Sequence, residues 1–161
     1  MSLDNIKLRP TTPNDLMLIF EWANDPLVRK MSFNSNPISL TEHTEWFYKT
    51  INDADQHLLI AEILLDGSTE FYAPCGQLRF NTQGEIGILI APQYRGKHLA
   101  ASCLNAAVAY IKDKKKPYAH ITAYIKMENS RSVKAFESAG FVAAGTSLVK
   151  NEPCLKYIYL L

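Results

Sequence analysis

A strand, a basic turn and a helix follow one another in residues 85–111, and this stretch constrains the fold of the chain more than any other. Residues 85–90 form a short apolar run rich in β-branched side chains and closed by a proline, which predicts a strand buried on both faces. Apolar residues at helical spacing over 99–111 predict a core helix. The turn between them, 93–98, holds an arginine, a lysine and a glycine. Because the first N–H groups of a helix lack intrahelical partners and the helix dipole is positive there, a diphosphate fits such a turn. An ordinary turn with exposed cations is the alternative that the turn alone leaves open.

The turn resembles the pyrophosphate loop of the GNAT-superfamily N-acetyltransferases, which has the pattern Gln/Arg-x-x-Gly-x-Gly/Ala. Within Pro92–Ala100, Arg95 and Ala100 match that pattern, and His98 stands where the pattern has glycine. We expect a side chain to fit at that point only if its φ is negative.

A second stretch, Asn129–Phe141, looks like the Asn-x-x-Ser-x-x-x-Tyr-x-x-x-Gly-Phe helix of the same superfamily. The resemblance implies that Asn129 hydrogen-bonds the pantetheine and that Ser132 lies on the side of the helix that faces the cofactor. Phe136 stands where many relatives have the tyrosine that protonates the departing thiolate, so the usual acid is missing, and water, Tyr124 or no acid at all remain open. Together the two motifs imply acetyl-CoA as the cofactor, CoA as a product, and the binding residues Ile88, Leu89, Ile90, Arg95, Gly96, Lys97, His98, Leu99, Ala100, Asn129, Ser132 and Phe136.

The chemistry that the resemblance implies is direct transfer of the acetyl group to a primary amine. Such an amine has a pKa near ~10.4 and must lose a proton before it attacks. Glu85 opens the strand that faces the cofactor, where some relatives have a glutamate base; a solvent-facing carboxylate at a strand start is the alternative. By the same resemblance, a backbone N–H of the strand end 88–90 stabilises charge on the thioester oxygen, because two parallel strands splay apart there.

The acceptor is indicated by residues 22–30, 32–39 and 42–47, which are similar to a GNAT branch that acetylates nucleotide-linked 4-amino-sugars, including the acetyltransferase step of pseudaminic acid synthesis. The polar loop around 34–36 suits a polyhydroxylated ligand, although Asn and Ser side chains also satisfy local backbone in surface loops. A packing role is the alternative for the histidine and tryptophan of the following helix. The predicted substrate contacts are Asn34, Ser35, His43 and Trp46.

Two other functions stay open. The Asn-Asp-Pro-x-Val element at 24–28 is shared with ribosomal-protein N-terminal acetyltransferases, which makes a peptide acceptor the runner-up. A non-catalytic module that only binds CoA is the alternative from a different class, favoured by the departures at His98 and Phe136.

Composition limits the remaining possibilities. The chain has 161 residues, of which 47% are hydrophobic, enough for one core, so we expect a single GNAT acetyltransferase domain over 1–161. A net charge of +1 gives no overall field to attract nucleic acid or a membrane, and the lysines of 112–116 suit a solvated helix end.

Three dispersed cysteines predict neither a disulfide framework nor a metal site. Residues 1–5 lack a signal segment and no apolar run could span a bilayer, which predicts a cytoplasmic protein. The resemblance implies a small-molecule amine as its substrate. Its oligomeric state stays open, with a homodimer as one option.

The predicted fold is mixed α/β (α+β), the GNAT fold, with a mostly antiparallel central sheet flanked by helices in the order βααβββαβαββ. A capping threonine starts a helix at 12 that breaks at 24–26 and reopens as a short helix through 28–30, and a Ser-x-x-Glu capping box starts another helix at 39. Residues 71–74 could not be assigned. Strands are expected near 6–9, 58–65, 75–81, 85–90, 119–126, 141–149 and 155–161.

Overall fold

Five α-helices and seven strands make up residues 5–161, which are the residues that the computed structural model describes. Residues 1–4, the greater part of the segment expected to lack a targeting signal, lie outside the described residues. The elements are β1 (Ile6–Pro10), α1 (Leu16–Ala23), α2 (Pro26–Met31), α3 (Leu40–Ile51), β2 (His57–Leu64), β3 (Tyr72–Phe80), β4 (Ile86–Ile90), α4 (Leu99–Lys114), β5 (His120–Lys126), α5 (Ser130–Ser138), β6 (Val142–Val149) and β7 (Glu152–Leu160). Single 3₁₀ turns at Pro13–Asp15 and Pro92–Tyr94 lead into α1 and toward α4.

Local capping signals explain where the helices begin. The Ser39–Glu42 capping box is confirmed, with each side chain accepting from the other residue's backbone N–H at 3.2 and 3.3 Å. The predicted order counted two helices before the second strand, whereas the structure has three, because the short helix expected after the break at 24–26 is a separate element, α2. The reason is Asp25, whose carboxylate caps α2 by accepting from the N–H groups of Leu27 and Val28, with Pro26 at the first helical position.

The strands form two antiparallel sheets, one in the order β1-β2-β3-β4 and the other in the order β5-β7-β6. A single parallel bridge, Glu85 to Thr122, connects them, and the Thr122 N–H donates to the Gly84 carbonyl at 3.0 Å. The GNAT fold is therefore confirmed, but the predicted central sheet is divided in two, because β4 and β5 diverge after this bridge. Residues 72–74, which the sequence left unassigned, extend β3 past a register shift at Ala61/Glu62.

Apolar side chains collect in two clusters on opposite faces of the first sheet. The larger cluster lies beneath α4 and reaches the second sheet through Leu78, Leu104 and Ile121. The smaller one joins α1 and α3 to β2 through residues such as Ile19, Phe47 and Ile60. Residues 112–115 are exposed at the end of α4, as a solvated helix end predicts. Within 5–161, no helix combines the length and apolar character needed to cross a membrane.

Candidate active site

A cleft of about 1040 Å³ opens where β4 and β5 diverge. Its walls come from α1, α2 and α3, from β3 and β4, from β5 and α5, and from the turn that joins β6 to β7. Nine predicted site residues line it: Asn34, His43, Trp46, Glu85, Ile88, Leu89, Asn129, Ser132 and Phe136. The predicted acceptor and cofactor residues therefore meet in one space. Those absent from its lining are Ser35, Ile90 and the loop residues Arg95, Gly96, Lys97, His98, Leu99 and Ala100.

The strand register decides which backbone groups of β4 face the gap. Glu85 and Ala91 both hydrogen-bond β3, through Asn81 N–H to Glu85 C=O at 3.1 Å and Ala91 N–H to Cys75 C=O at 2.8 Å. Because an antiparallel ladder alternates, Leu89 also points its N–H and C=O at β3. Ile88 and Ile90 point theirs into the gap, since β5 has already diverged. These are the groups that could hydrogen-bond a ligand lying between the strands.

The basic turn has two residues in the left-handed region. Gly96 has φ of 75° and His98 has φ of 58°, and α4 begins immediately after His98. The expectation that His98 would need a negative φ was wrong: histidine is one of the few side chains enriched in this region. Since both residues turn the chain tightly, the N–H groups at the start of α4 are left for an anion.

Arg95, the predicted phosphate ligand, has a partner within the protein. Its Nη2 donates to Asp25 Oδ2 at 2.6 Å, and both side chains are largely buried. The hydrogen bond from Arg95 holds the pKa of Asp25 below its usual range, assisted by the N–H groups of Val28 and Leu27 and opposed by burial. Arg95 thus ties the basic turn to α2, and its contact with a diphosphate stays a prediction.

Three residues of the second motif line the side of the cleft formed by α5. Asn129 caps α5, because its Oδ1 accepts from the Ser132 N–H at 3.3 Å. This leaves the Asn129 amide N–H₂ as its donor toward the cleft. Phe136 is 3% exposed and packs edge-on against Phe141 with ring centroids 4.9 Å apart. Phe136 thus packs in the core beside the cleft, and its contact with the cofactor stays a prediction.

Glu85 lies half-buried at the base of the gap. Its Oε2 accepts from Asn81 Nδ2 at 2.5 Å, and its own N–H donates to Asn81 Oδ1 at 3.0 Å. Three residues separate it from Ile88, which is about 10 Å along a strand. A proton that Glu85 takes from a group near Ile88 therefore has to travel through water.

His43 and Trp46 lie on one face of α3, but they differ in what they offer a ligand. His43 is 1% exposed, and its Nε2 donates to the Leu16 carbonyl at 2.9 Å. Burial lowers its pKa, although that hydrogen bond opposes the shift. The structure thus gives His43 a packing role, and a contact with substrate stays a prediction. Trp46 is half-buried and turns its ring toward the cleft.

The polar loop is held in shape by Arg29, a residue that the sequence analysis missed. Arg29 donates to the carbonyls of Ala23 and Asn34 at 2.6 and 2.7 Å and to Ser32 Oγ at 3.3 Å. Burial lowers its pKa. The loop turns at Asn34, whose Oδ1 accepts from the Asn36 N–H at 3.2 Å. That turn leaves Ser35 exposed and outside the cleft lining, so its predicted substrate contact is not supported.

Gln77 and Arg79 on β3 also line the cleft, and neither was among the site residues predicted from the sequence. Together with Asn81 they occupy alternate positions of β3 and of the turn after it, opposite Leu89, Gly87 and Glu85. The sequence does show polar residues at alternate positions 77, 79 and 81. The same pattern is typical of a strand face that is exposed to solvent, so it does not by itself indicate a binding site. The register instead places these side chains on the wall of the cleft.

Arg79 is the cation at the centre of this wall. Its guanidinium lies 5.8 Å from the centre of the Trp46 ring and beside Gly87, where an added Cβ would lie 3.8 Å from Nη2. Within residues 5–161 no carboxylate lies within ion-pair distance of it. The side chain is accessible to solvent in the cleft. Partial desolvation by the surrounding protein lowers the pKa of Arg79, and the negative charge of Glu85 opposes this shift. Among residues 5–161, Arg79 thus places in the cleft a positive charge that no carboxylate contacts at ion-pair distance.

Comparisons with known proteins agree with this geometry. Residues 5–142 match the family model described as acetyltransferase (GNAT) domain. The chain is 32% identical to the uncharacterized protein MJ1062 of Methanocaldococcus jannaschii over 84% of this chain, but it spans only 28% of the length of that protein. It is 27% identical to the spermidine N(1)-acetyltransferase of Vibrio cholerae, covering 87% of this chain and 80% of the other. The solved structure of AAC(6')-Ib with acetyl-CoA superposes with a TM-score of 0.79 at 20% identity, over 98% of this chain and 94% of the other.

Proposed function

This chain belongs to the acetyltransferase (GNAT) domain family, and we propose that it transfers the acetyl group of acetyl-CoA to a primary amine of a nucleotide-linked sugar, the 4-amino group above all. It is an acyltransferase by family, and its homologues are N-acetyltransferases that use acetyl-CoA. The observation that carries the sugar acceptor is Arg79, a cation in the cleft that forms no ion pair with any carboxylate of residues 5–161.

The gap between β4 and β5 fits acetyl-CoA. Acetyl-CoA supplies the acetyl group as a thioester, which leaves CoA as the second product. The N–H and C=O groups of Ile88 and Ile90 face the gap and have no partner strand there, so they can hydrogen-bond the amide groups of a pantetheine arm. Asn129 and Ser132 would contact the same arm from α5, and the N–H groups after His98 would hold the diphosphate. The Ile88 N–H is the candidate donor to the thioester oxygen.

Proton transfer is assigned to two side chains of the cleft. Glu85 would accept the proton of the amine through a water chain, since its carboxylate is about three residues of strand from Ile88. Tyr124 would supply a proton to the thiolate. Its hydroxyl is protonated at neutral pH, because the ordinary pKa of tyrosine is about 10, and burial raises the pKa of Tyr124 further, with Glu85 acting in the same direction. Tyr124 is the alternative that we propose among the three left open by the phenylalanine at position 136, the others being water and no acid at all.

The charge of the cleft favours an acceptor that carries an anion. The relatives named for spermidine and aminoglycosides act on polycations, which Arg79 and Arg29 would repel at close range. A nucleotide-linked amino-sugar has one amine and a diphosphate on opposite sides of its ring. Gln77 and Arg79 lie two residues apart on one strand face, about 6.6 Å, a separation comparable to the width of a pyranose ring. An amine that lies beside Gln77, next to the acetyl group, would therefore place the diphosphate near Arg79.

The test is a thiol-release assay with acetyl-CoA under identical conditions for three acceptors: a nucleotide-linked 4-amino-sugar, a panel of N-terminal peptides, and spermidine. We expect turnover on the amino-sugar alone. Turnover on peptides alone would establish the runner-up, and turnover on spermidine alone would contradict the role given to Arg79. Retained CoA binding without turnover on any amine would support the non-catalytic module.

A further inference from the structure

The side-chain amide of Gln77 lies on β3, one strand away from the backbone group that we assign to the thioester oxygen. Gln77 is paired with Leu89 in the β3–β4 ladder, and paired residues of this type lie about 5.5 Å apart at their Cα atoms. Leu89 is the neighbour of Ile88, whose N–H we assign to the thioester oxygen. Glu85, by contrast, is about 10 Å away along β4.

Among residues 5–161, the Oε1 atom of the Gln77 amide has no hydrogen-bond partner. The residue is 8% exposed and lines the cleft, and its Oε1 is fully buried without a donor among the described residues. Nearly all buried amide groups in folded proteins are hydrogen-bonded, and an unmade bond of this kind costs free energy. Because no described residue donates to Oε1, a rotation about the last side-chain torsion can turn this oxygen toward the cleft without breaking a hydrogen bond that Oε1 makes.

The surroundings of Gln77 exclude several structural explanations. The neighbouring strand residue on the β2 side is Ile60, which offers no side-chain donor. Arg79, two residues along the same face, makes no hydrogen bond to it. The Oε1 atom of Gln77 is thus left for a group that is not part of the described chain.

We infer that Gln77 accepts a hydrogen bond from the N–H of the acceptor amine and thereby orients the amine for attack. The inference rests on the proposed function and adds a specificity residue to it. An amide oxygen takes no proton at neutral pH, so Gln77 positions the amine while Glu85 receives its proton. The neutral amine has two N–H bonds and a lone pair, and holding one N–H at Oε1 restricts the directions in which the lone pair can point.

The test compares Gln77→Met, which keeps the length of the side chain but removes both polar atoms, with the control Gln83→Met in the exposed turn before β4. We expect Gln77→Met to lower kcat/KM for the acceptor about tenfold. We also expect the KM for acetyl-CoA to stay within about twofold of the wild-type value. An unchanged kcat/KM for the acceptor would overturn the inference.

Thermal stability provides a readout that needs no acceptor. If Oε1 has no partner in the protein, Gln77→Met leaves the melting temperature of the free protein unchanged or raises it. A fall of more than about 3 °C would show that the amide stabilises the fold, and it would overturn the inference. Absence of turnover by the wild-type protein would contradict the proposed function instead, so the two failures are distinguishable.

Discussion

The guanidinium of Arg95 donates to the carboxylate of Asp25 at 2.6 Å, joining the basic turn before α4 to the N-terminus of α2. Asp25 also accepts from the N–H groups of Leu27 and Val28. One carboxylate thus orders the first turn of an acceptor-side helix and fixes the loop expected to hold the cofactor diphosphate. The position of the loop and the position of α2 are therefore linked.

Substitution of Arg95 distinguishes its two possible roles. We expect Arg95→Ala to weaken acetyl-CoA binding about tenfold, because a charge-assisted hydrogen bond to phosphate is lost, while the fold is retained. The matched variant is Asp25→Asn, which removes the ion pair but keeps the arginine. Isothermal titration with acetyl-CoA measures both. Equal effects of the two substitutions would show that Arg95 acts only by fixing the loop.

The stability of the protein in acid should depend on Asp15. Arg9 donates two hydrogen bonds to its carboxylate, at 2.8 and 2.9 Å, and these lower the pKa of Asp15 against the opposing effect of burial. A lowered folded-state pKa means that the stabilisation is complete above the unfolded value of about 3.9 and is lost as the pH falls through the folded-state pKa.

Urea unfolding between pH 6 and pH 2 checks this expectation. We expect Asp15→Asn to lower the free energy of unfolding by about 2 kcal/mol at neutral pH, in the range of hydrogen bonds to charged groups. The variant should also lose less stability than the wild type below about pH 4. An acid dependence identical to that of the wild type would contradict the assignment. Asp66→Asn, in the exposed turn after β2, is the control.

Arg79 should control affinity for the acceptor without stabilising the fold. We expect Arg79→Met to raise the KM for a phosphate-bearing acceptor about tenfold or more. The melting temperature should stay close to the wild-type value, because Arg79 has no ion pair within the described chain. The KM of the wild type should also rise with salt, and this dependence should weaken in the variant. Arg131→Met, on the exposed side of α5, serves as the control, and an acceptor KM unaffected by Arg79→Met would exclude the anion site.

Glu85 should set the pH dependence of the rate. A base that takes the proton of the amine matters most below the amine pKa, so Glu85→Gln is expected to lower kcat about 10²-fold there and less as the pH approaches that pKa. Initial rates between pH 6 and 10 test this. If the pH–rate profile of the variant matches that of the wild type, Glu85 is not the base. Glu70→Gln, exposed and distant from the cleft lining, is the control.

The sequence predicted those features that depend on neighbouring residues. The Ser39–Glu42 capping box and the Asn129 cap are local hydrogen-bond patterns, and their outcome does not depend on distant parts of the chain. The same holds for the strand–turn–helix of residues 85–111. Its apolar periodicity determines both elements regardless of what packs on them.

The acceptor side of the cleft could not be predicted in the same way. Gln77 and Arg79 become wall residues only because the β3–β4 register sets them opposite Leu89 and Gly87, and register is a property of two strands together. The ion pair of Arg95 with Asp25 joins residues 70 positions apart, and no local pattern reports such a contact. The left-handed φ of His98 likewise follows from how the turn packs, since most residues avoid that conformation.

The two sheets meet at one bridge, between Glu85 and Thr122, and beyond it two strand edges run apart with unused hydrogen-bonding groups. An open edge of this kind lacks a neighbour, and a bound pantetheine arm would occupy the place of that neighbour. The bound cofactor would then connect the two sheets across the gap between β4 and β5. Ligand that binds only the folded state adds about 2.7 kcal/mol to the free energy of unfolding at one hundred times its Kd. Resistance to heat and proteolysis should therefore rise with the concentration of CoA. The junction of β4 and β5 should be the first part of the chain to open when CoA is scarce.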